Sequence, residues 1–399
     1  MANTLTPIDV YSLINSIASQ ATGQTVLTAT DTSSFVTVGE TLLRTGTENT
    51  LNAISAVLAD TIFSVRPYQG KLKSLYRTQR RWGAQVRKIV NLYTETEESQ
   101  DYNTDLNATQ LADGGSIDMY SIKNPKVMQL NFYGTKKLQK HITRYRDQLA
   151  LAFSSEDEFM RFIDSIMVEF GNEIELANEE KARTTLLNYI AGLYDMSQAI
   201  DLVAAYNADQ GFSPALTRAE CLSETHIEGF MKFVASTIKV YSDRMTDYTA
   251  NYHASISGYA PILRHTPKDR QKMIMYSPIF TKMKTEVYST LFNPEYLNIG
   301  EFEGVNFWQS QDSPESVDIS KANILDTSTG QSADSSAVSL DFVLGVLFDD
   351  EAIGVSPQFD YSSVTPFNSA GGYNNLYYHW RFSSYTDYTE NGILFYLGA

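Results

Sequence analysis

The apolar positions change period several times along the chain, and each change marks an element. Val10, Leu13, Ile14 and Ile17 fall at helical spacing inside a Thr/Ser/Asn-rich stretch, which predicts one short helix within an extended arm over residues 1–50. Leu42, Leu43, Leu51, Ile54, Val57, Leu58 and Phe63 predict a second short helix. It closes near Arg66–Pro67, because the residue before a proline is pushed out of the helical region. An arm with so little apolar surface of its own must pack on something else. Val86–Tyr93 and Ile117–Tyr133 are rich in β-branched and aromatic residues and read as strands. The polar stretch between them, with Asp113–Gly114–Gly115 as its turn, makes 86–133 a long protruding β-hairpin.

The clearest helix follows. Ser155 and Glu158 form a Ser-x-x-Glu capping box, and Phe159, Ile163, Ile166, Phe170, Ile174 and Ala177 then recur at intervals of three and four. The stripe runs on through Leu186, Leu187 and Ile190 to a stop near Gly192, with Glu173, Glu175, Glu179, Glu180, Lys181 and Arg183 expected as a solvated outer face. Residues 225–248 repeat the helical pattern, and 272–292 mix strand and helix. Residues 310–336 and 357–372 read as exposed loops, Leu340–Leu347 as a buried strand, and Asn374–Leu397 as strongly β, with Leu376, Tyr378, Trp380 and Phe382 alternating with Tyr377, His379 and Arg381. No repeat of 20–50 residues occurs.

Charge adds a feature that hydropathy does not show. Residues 61–94 hold Arg66, Lys71, Lys73, Arg77, Arg80, Arg81, Arg87 and Lys88 and no carboxylate. Residues 95–118 hold Glu95, Glu97, Glu98, Asp101, Asp105, Asp113 and Asp118 and no Lys or Arg. Residues 119–146 are again purely basic, with Lys123, Lys126, Lys136, Lys137, Lys140, Arg144 and Arg146. Such segregation repels itself within one subunit but pairs between copies. Laying the acidic tip of one copy on the basic arm of the next is a head-to-tail contact that propagates into rings or shells. The candidate contact residues are Glu95, Glu97, Glu98, Asp101 and Asp105 on the tip. On the arms they are Arg66, Lys71, Lys73, Arg77, Arg80, Arg81, Lys136, Lys137, Lys140 and Arg144. A second reading has Arg77, Arg80, Arg81, Arg87 and Lys88, beside Trp82, meeting a nucleic-acid backbone.

The net charge of −16 disfavours nucleic acid and anionic membrane over the surface as a whole. One cysteine, Cys221, excludes an internal disulfide, and five scattered histidines show no ligand spacing. Residues 1–20 lack the basic start and unbroken apolar run of a secretory leader, so a cytosolic product is expected. No phosphate loop, nucleophile elbow, H-E-x-x-H or dinucleotide fingerprint is present, so no catalytic residue, metal or cofactor is expected. Asp349–Asp350–Glu351 reads as a solvated turn rather than an ion site, and Cys221 as an inert thiol.

The order of elements resembles the major capsid protein of tailed bacteriophages, the Hong Kong 97-type fold. It comprises an N-terminal arm, a long hairpin, a long amphipathic helix, a mixed region containing Ser339–Asp349, and a closing β run from Tyr377 to Leu397. The resemblance implies an α+β fold. Its parts would be an N-terminal arm (1–75), an extended β-hairpin loop (76–135), a peripheral domain with a spine helix (136–200), a mixed α/β axial domain (201–364) and C-terminal peripheral strands (365–399). It implies an icosahedral shell enclosing phage double-stranded DNA, built of hexamers and pentamers, with a separate scaffolding protein, a portal protein and weak non-specific contact with packaged DNA. No membrane takes part, and the virion subunit would be made in the host cytoplasm. An encapsulin-like compartment enclosing a cargo enzyme is the alternative. Some family members cross-link a hairpin Lys to an Asn of a neighbour. Here the tip carries no Lys, and Lys88 and Lys123 lie at its base, so a non-covalent shell is expected.

Overall fold

The structure, a computed structural model, describes residues 7–22, 28–45, 53, 70–77, 85–92, 96, 115–116, 118–120, 122–124, 126–147, 156–258, 261–279, 281 and 301–399. The chain divides into two interleaved units. The first takes residues 1–84, 134–184 and 355–384; the second takes 85–133, 185–354 and 385–399. The hairpin counts with the second unit, and residues 365–399 divide between the two.

In the first unit, helices α1 (Pro7–Thr22) and α2 (Thr32–Thr45) bury Ile14, Ile17, Phe35, Val38 and Leu42 with Ile142, Phe159, Leu376 and Tyr378 in one cluster. Phe35 meets Phe159 edge-on, with ring centroids 5.5 Å apart. The second helix of the arm thus begins ten residues before the expected Leu42, within a Thr/Val/Gly-rich stretch of low helix propensity. Its start is fixed reciprocally: Ser34 N donates to the Asp31 carboxylate at 2.7 Å, and Asp31 N donates to Ser34 Oγ at 2.9 Å. Burial of its apolar face then outweighs propensity. Residue 53 is helical and buried, while the rest of the expected continuation, 46–52 and 54–69, lies outside the described residues.

The same unit holds a three-stranded sheet in the order β12 (Ile353–Val364), β13 (Tyr373–Thr386), β3 (Thr135–Tyr145). Strands β13 and β3 pair antiparallel from Tyr373↔Tyr145 to Ser383↔Thr135. Asn374, Leu376, Tyr378, Trp380 and Phe382 are buried and alternate with less buried residues, as period two requires. Most of β12 falls where a loop was expected. Its Pro357 argues against an interior strand, and β12 is an edge strand, where a missing N–H costs no ladder bond.

Helix α3 (Glu156–Asp195) has 40 residues, about 60 Å at 1.5 Å per residue. Its 156–184 portion counts with the first unit. There the expected solvated face is corrected: Glu175, Glu179 and Arg183 are all buried. Gly70 N donates to Glu175 Oε1 at 3.2 Å, Lys71 N to Glu179 Oε2 at 3.4 Å, and Arg183 Nη2 to Glu179 Oε1 at 2.8 Å. The carboxylates hold the backbone of a strap at 70–77 that ends with Arg77 N on Val355 O at 2.8 Å.

The second unit is built on a five-stranded sheet in the order β4 (Ala199–Asp201), β14 (Gly392–Tyr396), β11 (Val343–Asp349), β5 (Gln271–Tyr276), β6 (Glu301–Val305). All seven residues of β11 are buried, which explains its unbroken apolar run. Around the sheet lie α4 (Leu202–Gln210), the short α5 (Arg218–Cys221) and α6 (Ile227–Arg244). Asp201 caps α4 by accepting from Val203 N and Ala204 N, and Gly211 ends it at φ 69°. Helix α6 buries Phe230, Met231, Val234 and Ile238.

The expected loop at 310–336 contains three short strands, β7 (Val317–Ile319), β8 (Asn323–Leu325) and β9 (Ser332–Asp334). Its Ser/Asp content is turn chemistry. Asp326 accepts from Ser328 N, Ser328 Oγ and Thr329 Oγ1 and so closes the β8–β9 hairpin. The expected Leu340–Leu347 strand divides into β10 (Val338–Leu340), paired with β7, and β11.

Candidate subunit-contact surfaces

The predicted hairpin is present in its two described strands. In the second unit β1 (Gln85–Asn91) pairs antiparallel with β2 (Val127–Tyr133), from Gln85↔Tyr133 to Asn91↔Val127. Period two divides its side chains. Val90, Leu92 and Ile262 form a small buried cluster with Met128 packed against it, and Lys88 lies on the same strand face as Val90. The alternate positions face solvent: Ile89 is 63% exposed, Val127 58% and Tyr133 76%. Nearer the tip, Met119, Tyr120 and Ile122 are each more than 80% exposed.

Lys88 fastens the root of the hairpin. Its Nζ donates to Asp387 Oδ2 at 2.8 Å and to Glu390 Oε1, and lies 3.6 Å from Glu351 Oε2. Arg264 Nη2 approaches Glu390 at 3.1 Å from another side. Asp387 and Glu390 are almost fully buried, so two cations neutralise carboxylates that would otherwise be costly to enclose. Burial works against the Lys88 ammonium, yet the two carboxylates outweigh it and raise Lys88 above the ordinary lysine value. A sequence reading that grouped Lys88 with the basic arm missed this role, since its partners lie about 300 residues downstream.

The described arm candidates do not form one open cationic face. Lys73, Lys136 and Lys137 are exposed, whereas Lys71, Arg77, Lys140 and Arg144 are half-buried. Along β3, Lys136, Lys140 and Arg144 alternate with Lys137, so the strand puts them on opposite faces. Lys140 pairs with Glu173 of α3. Lys137 shares its face with His141, which stacks on Tyr377 at 5.3 Å, and with His379, which stacks on Tyr361 at 4.5 Å. Arg66, Arg80 and Arg81, and the tip residues Glu95, Glu97, Glu98, Asp101 and Asp105, lie outside the described residues.

Cys221 is a buried free thiol pushed up by burial. His226 stands at the start of α6 with its ring against Phe212. The expected solvated turn at 349–351 is corrected at its first residue. Asp349 is buried and accepts from Thr266 Oγ1 at 2.8 Å, while Asp350 and Glu351 both pair with Arg270. Among the described residues no cluster of three or more His, Cys, Asp or Glu could hold a metal ion, and no helix is long and apolar enough to cross a membrane.

The sequence matches the family described as Phi29-like phage major capsid protein over residues 14–396. Among curated proteins no significant match is found. Of solved structures, the capsid structure of Staphylococcus phage Andhra superposes with a TM-score of 0.54 at 8% identity, covering 83% of this chain and 84% of that one. The structure of head fiber and inner core protein gp22 of native bacteriophage P68 gives 0.50 at 10% identity, covering 83% and 86%. At such identities the likeness concerns the fold alone, an α+β fold of the Hong Kong 97 type seen in phage capsids.

Proposed function

The chain belongs to the Phi29-like phage major capsid protein family and forms the icosahedral shell of a phage; from that premise we propose that its copies are joined through the hairpin and that the shell encloses double-stranded DNA. The observation that carries the contact reading is the set of open apolar side chains Ile89, Val127 and Tyr133 on the hairpin strands and Met119, Tyr120 and Ile122 beyond them, while Val90 and Leu92 on the other strand face are buried. The acidic tip, 95–118, lies on the basic arms of the next subunit and orients that contact. Apolar burial supplies the larger share of its stability. Lys73, Lys136 and Lys137 are the described arm cations open to such a contact.

A separate scaffolding protein and a portal protein complete assembly. DNA is met by weak non-specific contact, the subunit is made in the host cytoplasm, and the chain carries no catalytic role. The encapsulin-like alternative is disfavoured by the family match.

The test is sedimentation and negative-stain electron microscopy of the expressed chain in low and high salt, with and without Arg80→Glu and Arg81→Glu. Shells or capsomer-like rings that weaken with salt, and are lost in the folded double variant, support the reading. Exposed charge pairs are screened beyond about 10 Å at 0.1 M. Normal shells from the reversed variant would remove the electrostatic part of the proposal.

A further inference from the structure

The three-stranded sheet of the first unit has one covered face and one open face. Ile142, Leu376 and Tyr378 belong to the cluster made with α1, α2 and Phe159. Period two puts Lys137, His141, Tyr377, His379 and Arg381 on the other side. There a row of four rings crosses all three strands. Tyr361 of β12 stacks on His379 of β13 with centroids 4.5 Å apart, Tyr377 lies 6.3 Å from His379, and His141 of β3 lies 5.3 Å from Tyr377. Successive ring planes differ by no more than 27°. Tyr361 is 52% exposed, His141 is exposed, and Tyr377 and His379 are half-buried.

This row takes no part in the core, and its composition is that of a protein interface: aromatic rings and an arginine, with carboxylates sparse. The rings hold one another in place, so they lose little rotamer freedom when a partner arrives. The charges of the row argue against a polyanion. Arg381 is committed to Asp360, with Nε 3.2 Å from Oδ2 and Nη2 3.0 Å from Oδ1. Lys137, which is in no ion pair among the described residues, is then the cation left over. One cation is little for a phosphate backbone, whose affinity grows with each counterion displaced.

The hairpin carries the matching chemistry. Asp118 Oδ1 accepts from Tyr120 N at 2.9 Å, a turn that holds Met119 between them. Met119 and Tyr120 are each 81% exposed, and Ile122 is 83% exposed. A thioether makes favourable contacts with aromatic rings, and Asp118 complements Lys137.

We propose that the open face of β12, β13 and β3 is the seat for residues 118–122 of a second copy, with Met119, Tyr120 and Ile122 on the ring row and Asp118 toward Lys137. This rests on the hairpin reading above and adds the surface that receives the hairpin. Three of its rings, Tyr361, Tyr377 and His379, lie far downstream of the basic arms.

The experiment cross-links copies. A chain with Ile122→Cys and a chain with Tyr361→Cys are expressed together, and their assemblies are treated with a short bis-maleimide and run on a denaturing gel. Cys221 is buried, and wild type alone gives the background. The mixture should yield a covalent dimer well above that from either chain alone. Should Tyr361→Cys fold without assembling, Ser363→Cys, two residues along the same strand face, takes its place. Leu176→Cys is the contrast, since Leu176 is 59% exposed on α3 in the same unit. A dimer through Leu176 and not through the sheet positions overturns the seat and leaves the hairpin contact standing. Closed shells with no dimer through either position overturn both.

Discussion

Lys88 Nζ sits 2.8 Å from Asp387 Oδ2, joining strand β1 of the hairpin to the turn that precedes β14. Within the second unit this contact makes the hairpin root a fixed part of the fold rather than a loose outgrowth. Lys88→Met should lower subunit stability by about 2–3 kcal/mol. That is somewhat less than the ~3–5 kcal/mol for a fully enclosed pair, because Lys88 keeps one-fifth of its surface. Adding Asp387→Asn should recover part of the loss. Since Lys88 is raised, its contribution is fully present below about pH 10.4 and is lost as pH rises through its folded value. Denaturant midpoints of the two variants at pH 7 and of wild type at pH 9 to 11 check both statements.

The exposed hairpin residues should matter only between subunits. Met119→Ser, Tyr120→Ser and Ile122→Ser together should leave the unfolding transition within about 0.5 kcal/mol of wild type, as surface changes do. They should sharply reduce shell yield by sedimentation. Wild-type yield from that triple variant would remove these three residues from the contact.

Glu175 and Glu179 hold the strap at 70–77 by its backbone N–H groups. Hydrogen bonds to a charged group contribute about 1.5–3 kcal/mol. Glu179→Ala also leaves Arg183 without its 2.8 Å partner, so it should be the costlier of the two single changes. Limited proteolysis should then open the chain near residues 70–77 before any other site, with unfolding midpoints giving the order.

Tyr189 illustrates a site with stability in reserve. Its hydroxyl is buried with no hydrogen-bond partner among the described residues, and its ring stacks on Tyr388 at 5.4 Å. Tyr189→Phe should be neutral or stabilising, by about 1 kcal/mol. Gly392→Ala should cost about 1–3 kcal/mol, because a Cβ there would overlap the Tyr189 hydroxyl and press on Leu193. Since the residues touch, the double variant should fall short of additivity.

A denaturing gel of assembled shells should show a single monomer band. Lys88 is the lysine nearest the tip on β1, and its ammonium is held by carboxylates of its own subunit. A ladder of covalent oligomers would require another donor.

Much of this architecture can be read from periodicity, because the end of the α3 stripe at Leu186 and Ile190, the alternation of β13 and the unbroken run of β11 each record which faces are covered. Helix α2 escapes that reading because its helicity comes from burying Phe35, Val38 and Leu42 rather than from its Thr and Val residues. Glu175 and Glu179 escape because a carboxylate on a helix is usually solvated, and nothing local reveals that a backbone segment 105 residues upstream lies over Glu175. Charge segregation drew attention to the hairpin, but it could not tell Lys88, which is spent inside the subunit, from Lys73 or Lys137, which face out. The open positions of Ile89, Val127 and Tyr133 were legible only once register fixed which alternate positions point away.

The place of β14 bears on how an assembly line rejects faulty parts. This strand, residues 392–396, lies between β4 and β11, so it is an interior member of the sheet although it is translated after every strand it touches. A polypeptide abandoned by the ribosome before Gly392 leaves its two neighbours with open edges and cannot close the sheet. Products that stop short of this strand should therefore fail to reach the fold that assembles.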